Sequence, residues 1–388
     1  MNTPAQTNPF RFGALALDDS FADRERERAE LVSDIRNGQD VVIFAPRRCG
    51  KSSLVWSATQ VLTRERVLVA QVDLMTTPTK ERLAAALASS IYEQIASTLE
   101  RAREKALAPF RGLQIQPAVN VNPEDGSFSF SFGVGQRPAE IDATLERLLQ
   151  LPAEMGAAKN RRTALVMDEF QEIVEIDPGL PKLLRSIFQQ QPEVAHVYLG
   201  SKRHTMERIF NDANEPFWRS AKPVELGAID LEPFAAFIAD RFRVSGRTIP
   251  AATVGALLAH TGGHPYATQE LCYFLWEQTP RGKGASGARL ERALAAVLRS
   301  EHAHFSLLWE DASTVQKLVL EALAREPGRP FRADYRSRHS LPPATNVQKA
   351  LRALEQREIV VGAKGAYQIV EPFLAEWLEA NVVAVRDG

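Results

Sequence analysis

The chain has 388 residues, of which 45% are hydrophobic and 24% are charged, and its formal net charge is -1. This length exceeds one typical domain and indicates two or three, and the composition is that of an ordinary soluble globular protein. The near-zero charge excludes a global attraction to nucleic acid, so any such binding requires a local basic face.

Cysteine content and hydropathy argue against a zinc cluster and against a membrane protein. Two cysteines, Cys49 and Cys272, are too few for a zinc cluster and do not suggest a disulfide scaffold. No apolar run approaches the roughly 18 residues of a membrane helix, and no signal peptide opens the chain. We therefore expect a cytoplasmic protein with no membrane partner.

The first predicted elements are a charged helix and a buried strand. The helix begins near residues 21–25, and its apolar positions, which include Leu31 and Ile35, have helical spacing. Gly38 ends this helix. The apolar run 41–44 then predicts a strand that leads into a loop.

That loop fits the phosphate-binding pattern GxxxxGK[ST], with Ala45 in place of the first glycine. Loop amides and the start of the next helix offer N–H groups to phosphate oxygens, Lys51 adds a charge, and Ser52 offers a magnesium ligand. A nucleoside triphosphate with Mg²⁺ is therefore the predicted ligand, and the alternative is a surface turn that contains Gly-Lys-Ser by chance. The predicted ligand-binding residues of the loop are Pro46, Arg47, Arg48, Cys49, Gly50, Lys51, Ser52 and Ser53.

Residues 67–72 predict the next strand, and helical periodicity follows from about residue 80 to residue 105. Residues 113–135 then interrupt the alternation of strands and helices. Two alternating stretches around a turn at 122–126 predict a β-hairpin insertion with one apolar face, which includes Phe128, Phe130 and Phe132. This face either packs against the body of its own domain or docks a protein partner.

A second buried strand, residues 163–168, ends in the adjacent carboxylates Asp168 and Glu169. In a parallel sheet covered on both faces, ligands lie at the carboxyl ends of the strands. We therefore predict that Asp168 holds Mg²⁺ and that Glu169 orients or deprotonates the attacking water. A further strand at 194–200 brings Ser201 towards the γ-phosphate. The alternative for the carboxylates is a solvated acidic strand end.

The pattern becomes helical from Leu231 to Thr279, with a Gly-Gly-His-Pro break at 262–265, and this predicts a small helical lid. Three helices and a two-stranded hairpin follow, which is the order of a winged helix-turn-helix. The predicted fold is therefore an α/β parallel sheet with helices on both faces, followed by the lid and the winged helix. The predicted domains are 1–228 for the ATPase core, 229–305 for the lid and 306–388 for the winged helix.

The tail carries a local excess of positive charge. Nine basic and four acidic residues lie between residues 325 and 364, although the whole chain is balanced. Phosphate contacts from such a face, with polar residues near base edges, predict binding of duplex DNA. The residues predicted to contact DNA are Asn346, Lys349, Arg352 and Lys364. The alternative is a winged helix that serves as a protein-contact or packing module.

Four segments together resemble the archaeal-type ATPase family, a STAND-related branch of the AAA+ proteins. The segments are Phe-Ala-Asp-Arg-Glu at 21–25, the loop at 45–54, Val-Met-Asp-Glu-Phe at 166–170 and Gly-Gly-His-Pro-Tyr at 262–266. The resemblance covers roughly residues 8–277, and such proteins often carry an appended winged helix. The chain is also similar to origin-recognition initiators.

The resemblance implies roles for individual residues. Arg24 would border the adenine, Ser201 or a neighbour would be the polar sensor, and Pro265 would read the nucleotide from the lid. Two departures from the family pattern are Ala45 in the loop and Ala22, where the pattern Phe-x-Gly-Arg-Glu has glycine. Ala45 is tolerable if its φ is not positive, since only positions with φ > 0 strictly need glycine.

An arginine that acts on a neighbouring subunit is harder to assign. Arg203, Arg208 and Arg219 all follow the sensor strand, and Arg219 lies where relatives often carry an arginine before the last core strand. Such a residue would stabilise transition-state charge in trans, and the active form would then be a homo-oligomer. The alternative is a structural ion pair.

Three functions agree with these observations. The first is an ATP-hydrolysing switch in which the nucleotide state controls the winged helix. The second is a slow-turnover ATP-binding signalling or scaffold protein that acts through protein contacts. The third is a replication- or transposition-type initiator that assembles on DNA. ATP is preferred to GTP partly through the family resemblance, and no guanine-reading Asn-Lys-x-Asp segment occurs.

Overall fold

The structure is a computed structural model that describes residues 7–13, 22, 24–96, 110, 113–115, 118–121, 128–132 and 137–383. The chain divides into two compact units. We call Glu25–Ala45 with Lys51–Leu226 the core unit, and Met1–Arg24 with Pro46–Gly50 and Gly227–Gly388 the C-terminal unit. Residues 46–50 of the phosphate loop thus cluster with the second half of the chain.

The core unit alternates strands and helices. Its strands are β1 (Val41–Phe44), β2 (Leu68–Asp73), β3 (Ala118–Val121), β4 (Phe128–Ser131), β5 (Thr163–Asp168), β6 (Val194–Gly200) and β7 (Lys222–Glu225). Its helices are α1 (Glu25–Arg36), α2 (Lys51–Arg64), α3 (Lys80–Ala96), α4 (Pro138–Lys159), α5 (Ile173–Ile176), α6 (Leu180–Phe188) and α7 (Arg203–Asn211), with 3₁₀ turns at Leu74–Thr76 and Phe170–Glu172.

Five of these strands form a parallel sheet in the order β2-β5-β6-β1-β7. The three inner strands are mostly apolar and almost wholly buried, as expected for strands covered by helices on both faces. Strand β7 lies at the edge, where Pro223 costs no hydrogen bond to a further strand. The predicted α/β fold is confirmed.

The hairpin β3–β4 packs against the core unit itself. Phe130 is 5% exposed, and its ring lies 5.4 Å from the Tyr92 ring of α3 and 5.2 Å from the Phe110 ring. The Phe130 amide donates a hydrogen bond of 3.3 Å to Ser89 Oγ on α3. Phe130 and Phe132 of the predicted apolar face are therefore buried, as expected for the alternative in which this face packs against its own domain. The predicted turn at 122–126 and the Phe128 side chain lie outside the described residues.

The C-terminal unit is mainly helical. Its helices are α8 (Leu231–Val244), α9 (Ala251–Thr261), α10 (Pro265–Glu277), α11 (Gly287–Glu310), α12 (Thr314–Arg325), α13 (Ala333–Arg338), α14 (Ala344–Gln356) and α15 (Pro372–Leu378), its strands are β8 (Val360–Ala363) and β9 (Ala366–Ile369), and a π-helical turn covers Glu379–Val383. One hydrophobic core runs from Phe234 on α8 to Trp377 on α15. The division at residue 305 into lid and winged helix stays a prediction.

Helices α12 to α14 and the hairpin β8–β9 have the order of a winged helix. Strands β8 and β9 pair antiparallel around Lys364 and Gly365, whose φ angles are 51° and 79°. Two consecutive positive φ angles define the tight turn that suits the twist of a two-residue hairpin loop. This turn forms the tip of the wing.

Within the described part of the chain, no helix is long and apolar enough to cross a membrane. Both cysteines are buried, and neither is in a disulfide.

Candidate functional site

Two polar side chains meet in the core unit where strands of the sheet end. Ser52 is the second residue of α2, and Asp168 is the last residue of β5. Ser52 Oγ donates a hydrogen bond of 3.0 Å to Asp168 Oδ2. The two residues predicted as magnesium ligands are therefore adjacent, although the sequence separates them by 116 positions.

Lys51 opens helix α2 and is only 6% exposed. Its ammonium group donates a hydrogen bond of 2.9 Å to the carbonyl oxygen of Ala45. A buried ammonium group is costly unless it is hydrogen-bonded, and this carbonyl satisfies part of that requirement. The lysine is thus held at the helix N-terminus, where the helix dipole also favours an anion.

Burial raises the pKa of the Asp168 carboxyl, and the neighbouring carboxylates Glu169 and Asp73 raise it further. Hydrogen bonds from Ser52 and from the Glu169 amide oppose this rise in pKa. A cation at Asp168 would relieve the unfavourable charge. One hydroxyl and one carboxylate are the oxygen ligands that Mg²⁺ uses when phosphates and water complete its shell. The described residues include no cluster of three or more His, Cys, Asp or Glu that could hold a metal alone.

Glu169 has a left-handed backbone, with φ 50° and ψ 47°. Such a conformation is uncommon for a residue with a side chain and often marks a functional position. The Glu169 carboxylate accepts a hydrogen bond of 2.9 Å from Ser201 Oγ at the end of β6, and another from Gln171 Nε2. Sequence reasoning predicted Ser201 near the phosphate but did not find Gln171, which is 1% exposed.

Gly200 leaves room for this arrangement. A Cβ atom at position 200 would lie 2.4 Å from Met206 Cγ and 2.7 Å from Gln171 Oε1. Both distances are shorter than van der Waals contact. Gly200 therefore permits Met206 and Gln171 to pack against its backbone.

In the C-terminal unit, the phosphate loop has two residues with positive φ. They are Arg48, at 62°, and Gly50, at 83°. Ala45 precedes them without a positive φ. The condition under which alanine is tolerable at position 45 is therefore met, because a backbone without a positive φ is open to any residue.

Arg24 is 4% exposed and donates hydrogen bonds to two backbone carbonyls. Its guanidinium group lies 3.3 Å from the Cys49 oxygen and 2.6 Å from the Gly227 oxygen. Arg24 thus contacts the phosphate loop directly. Its predicted position beside the adenine stays a prediction.

His264 brings helix α10 to the same loop. Its Nε2 atom lies 3.9 Å from Cys49 Sγ, and its Nδ1 atom accepts a hydrogen bond of 3.3 Å from the Ala267 amide. Burial lowers the pKa of His264 to about 4, and the charge of Arg48 contributes to the decrease. The ring is therefore neutral at physiological pH. Pro265, the residue predicted to read the nucleotide, follows directly as the first residue of α10.

The two loop arginines contact groups far along the chain. Arg48 stacks over the Tyr266 ring at 4.3 Å and forms an ion pair of 3.0 Å with Glu371. Arg47 pairs with Glu358. The sequence did not indicate these contacts, because more than 200 positions separate each arginine from its partner and no local pattern marks them.

The three arginines considered for action in trans differ in their surroundings. Arg203 forms ion pairs with Glu207 and Glu225, and Arg208 lies 4.0 Å from Glu215. Arg219 is exposed and has no carboxylate partner among the described residues. Its guanidinium group lies 5.7 Å from the ring of Trp218, which is 48% exposed.

All four residues predicted to contact DNA are exposed on the winged helix. Asn346, Lys349 and Arg352 are exposed on α14, and Lys364 is exposed at the tip of the wing. Within the described ranges, no ion-pair partner is found for Lys349, Arg352 or Lys364.

The tail and the whole fold are similar to known proteins. Residues 303–380 match the family model described as "Probable winged helix domain". A Walker-type ATPase of Pyrococcus abyssi is similar in structure, with a TM-score of 0.64, 17% identity, and coverage of 94% of this chain and 97% of that chain. The ORC2 protein of Aeropyrum pernix, solved in ADPNP–ADP complexes, has a TM-score of 0.54 and 13% identity, with coverage of 98% and 100%.

The comparison with curated proteins gave no match. At these identities, the similar structures establish the fold alone. They confirm the predicted α/β fold with a parallel sheet, and the family model confirms the predicted winged helix.

Proposed function

We propose that this protein is a Mg²⁺-dependent ATPase whose nucleotide state controls a winged helix that contacts duplex DNA. The observation that carries the proposal is the hydrogen-bonded series Ser52, Asp168, Glu169 and Ser201 at the carboxyl ends of β5 and β6. Ligands of open α/β sheets bind at such strand ends. Lys51 at the start of α2 adds the charge that phosphate binding requires.

Each residue has a role in an in-line displacement. Glu169 orients a water molecule and accepts its proton as the water oxygen bonds to the γ-phosphorus. The bond between that phosphorus and the β,γ-bridging oxygen breaks, and ADP leaves with the electron pair. Ser201 and Gln171 hold the Glu169 carboxylate in place. When bound, Mg²⁺ would neutralise charge on the phosphate oxygens, with Ser52 and Asp168 as its protein ligands.

An exposed Arg219 without a carboxylate partner in the described part of the chain favours a homo-oligomer. An arginine supplied by a neighbouring subunit stabilises the charge of the transition state and accelerates hydrolysis by several orders of magnitude. We therefore propose that Arg219 acts on the site of an adjacent copy. The activity per subunit should then rise with protein concentration.

Contact with DNA is supported by the charge and exposure of the winged helix. Lys349 and Arg352 lie one turn apart on α14, and Lys364 lies at the tip of the wing. Cations without carboxylate partners are available to phosphates, whereas paired ones must first lose their partner.

Nucleotide binding and turnover by the full chain test the proposal. Wild-type protein should bind ATP and release phosphate with Mg²⁺ but not with EDTA, and GTP in place of ATP tests the choice of base. Lys51→Ala should weaken binding about tenfold or more, since hydrogen bonds to charged groups contribute about 1.5–3 kcal/mol. A wild-type protein that binds no nucleoside triphosphate would contradict the proposal.

A further inference from the structure

Two carboxylates of the core unit share the side-chain amide of Gln171. Gln171 and Glu172 lie in the 3₁₀ turn that follows β5, directly after Glu169. The amide nitrogen of Gln171 donates one hydrogen bond to Glu169 Oε2 and another, of 3.4 Å, to Glu172 Oε1. Glu169 Oε2 also accepts the hydrogen bond from Ser201. Both donors of the Gln171 amide are thus used by carboxylates, and one of these is the residue proposed to orient the attacking water.

The orientation of the Gln171 amide follows from these charges. Its oxygen Oε1 is buried and has no hydrogen-bond partner among the described residues, which is unfavourable for a buried acceptor. Rotation of the amide by 180° would turn this oxygen towards Glu169 and Glu172, whose ionised carboxylates can only accept hydrogen bonds. The two carboxylates therefore determine how the amide is oriented, and a change in the charge of either one should change the position of the amide.

Lys202, which directly follows Ser201, neutralises the second of these carboxylates. Its ammonium group donates a hydrogen bond of 2.7 Å to Glu172 Oε1, the same oxygen that Gln171 contacts at 3.4 Å. A distance of 3.4 Å is long for an N–H···O hydrogen bond, whereas 2.7 Å is typical of a charge-assisted one. Lys202 is therefore the stronger partner of Glu172, and this leaves the Gln171 amide to Glu169.

Loss of the lysine charge would change the balance between the two carboxylates. Glu172 Oε1 would then lack its strongest donor and would compete with Glu169 for the Gln171 amide. The uncompensated charge of Glu172 would also repel the Glu169 carboxylate, since both contact the same amide nitrogen. The Glu172 side chain is 21% exposed, so water would replace the lysine only in part.

We propose that Lys202 is a positioning residue for ATP hydrolysis: it holds Glu172 and thereby keeps the Gln171 amide on Glu169, the residue that orients the attacking water. The proposal rests on the proposed function, since it concerns the same carboxylate. Lys202 acts through Glu172 and Gln171 and not through a contact with the nucleotide. Its loss should therefore slow turnover and leave the affinity for ATP unchanged.

The test measures kcat and the Kd for ATP with the full chain as wild type, Lys202→Met and Lys202→Arg. Methionine keeps an unbranched apolar side chain and removes the charge, so kcat should fall roughly threefold to tenfold, between the effects of an exposed ion pair and of a hydrogen bond to a charged group. The Kd for ATP should stay within about twofold, as expected when only turnover is affected. Lys202→Arg retains the charge and should retain most of the kcat.

A second substitution distinguishes positioning from a structural role. Glu172→Gln removes the uncompensated charge of Lys202→Met, and a neutral side chain is a weaker acceptor than a carboxylate. The double variant should therefore recover a kcat within about twofold of wild type, because the two residues belong to one hydrogen-bonded network and their effects are not additive. A lysine that only stabilises the fold would leave the double variant no more active than Lys202→Met.

Lys222→Met is the matched control. Lys222 forms an ion pair of 2.8 Å with Asp34, and its side chain is 43% exposed, compared with 40% for Lys202. Lys222 is the first residue of β7, whereas Ser201 and Lys202 follow the last residue of β6. Because these strands run parallel, the control removes a similar ion pair at the opposite edge of the sheet. This variant should leave both kcat and the Kd for ATP unchanged.

The outcomes separate the two proposals. An inactive Glu169→Gln together with a Lys202→Met that hydrolyses ATP at the wild-type rate would overturn the positioning role and leave the proposed function intact. Weaker ATP binding by Lys202→Met would also overturn it, because Lys202 would then contact the nucleotide. An equal decrease in kcat for Lys222→Met would overturn it as a general effect of charge. A wild-type protein that does not hydrolyse ATP would overturn both proposals.

Discussion

Ser201 Oγ donates a hydrogen bond of 2.9 Å to Glu169 Oε2 and thereby joins the ends of strands β6 and β5. Ser201 is 2% exposed, so the hydroxyl has little access to water and is committed to this carboxylate. The hydrogen bond fixes the direction of the residue proposed to orient the attacking water. Its loss should therefore affect turnover more than nucleotide binding.

Ser201→Ala should lower kcat for ATP about tenfold and leave the Kd for ATP within about twofold. One hydrogen bond to a charged group is worth about 1.5 kcal/mol or more, and a tenfold change corresponds to 1.4 kcal/mol. Steady-state hydrolysis with a separate binding titration measures both constants. Ser186→Ala is the control, because the hydrogen bond of that exposed hydroxyl within the described residues goes to Leu183 of its own helix. An unchanged kcat in Ser201→Ala would remove Ser201 from the mechanism.

Gly200→Ala should destabilise the core unit by about 1–3 kcal/mol, because the added methyl group overlaps Met206 and Gln171. Urea unfolding measures the change in free energy. Gly255→Ala on α9 is the control. A Cβ at Gly255 meets nothing within 4 Å, and alanine is favoured over glycine inside a helix, so this change should be neutral or stabilising. Equal stabilities for the two variants would contradict the close packing of Met206 and Gln171 against Gly200.

Replacement of both Lys349 and Arg352 by alanine should weaken binding to duplex DNA and make it less sensitive to salt. Each lost phosphate contact lowers the slope of log K against log salt by about 0.9, so the double variant should lose about two units. Fluorescence anisotropy at several salt concentrations measures the slope.

The matched control for the DNA experiment replaces Arg332 and Arg338, which are ion-paired with Asp334 and Glu326. The control removes the same charge from the winged helix, so it separates contact from net charge. Equal slopes for the two double variants would show that net charge, and not contact by Lys349 and Arg352, sets the salt dependence, and would contradict this prediction.

Glu270 makes stability depend on pH. Burial, and to a lesser extent the nearby charges of Glu301 and Glu371, raise the pKa of this carboxyl to about 8 against the opposing effect of Arg48. Between the ordinary pKa of 4.5 and about 8, the folded state holds a proton that the unfolded chain releases. The free energy of unfolding should therefore fall as pH rises through this range.

Glu270→Gln keeps the side chain neutral at every pH and should remove that part of the pH dependence. The difference in free energy of unfolding between the variant and wild type should therefore favour the variant more at pH 8.5 than at pH 5.5. Urea unfolding at the two pH values measures the difference. Glu291→Gln, at an exposed position of α11, should leave the pH profile unchanged. A wild-type stability that rises across this range, with no change in Glu270→Gln, would contradict a neutral buried carboxyl.

Local patterns were sufficient to predict the parallel sheet, the loop before α2 and the winged helix. Apolar runs identified β1 and β5, and the Gly-Lys-Ser pattern identified the loop that precedes α2. The contact between Ser52 and Asp168 was also predictable, because the ends of parallel strands share one edge of the sheet. These features depend on short segments whose physical requirements are visible in the sequence.

Contacts between distant segments were not predictable in the same way. Gln171 looks like an ordinary polar residue until the turn after Glu169 brings it to the carboxylate. Glu358 and Glu371 are two acidic residues in a basic tail, and only the folded chain pairs them with the loop arginines. The Gly-Gly-His-Pro segment was recognised, but the interpretation stressed Pro265, whereas His264 makes the recorded contact with Cys49.

The most direct test of the proposed mechanism is ATP hydrolysis by Glu169→Gln, measured with its ATP affinity. Glutamine keeps the side-chain shape and the acceptor oxygen but cannot take the proton of the attacking water. We expect a Kd for ATP close to that of wild type and a kcat lower by roughly 10²- to 10⁴-fold, the usual contribution of general base catalysis. Hydrolysis at the wild-type rate by Glu169→Gln would contradict the proposed mechanism.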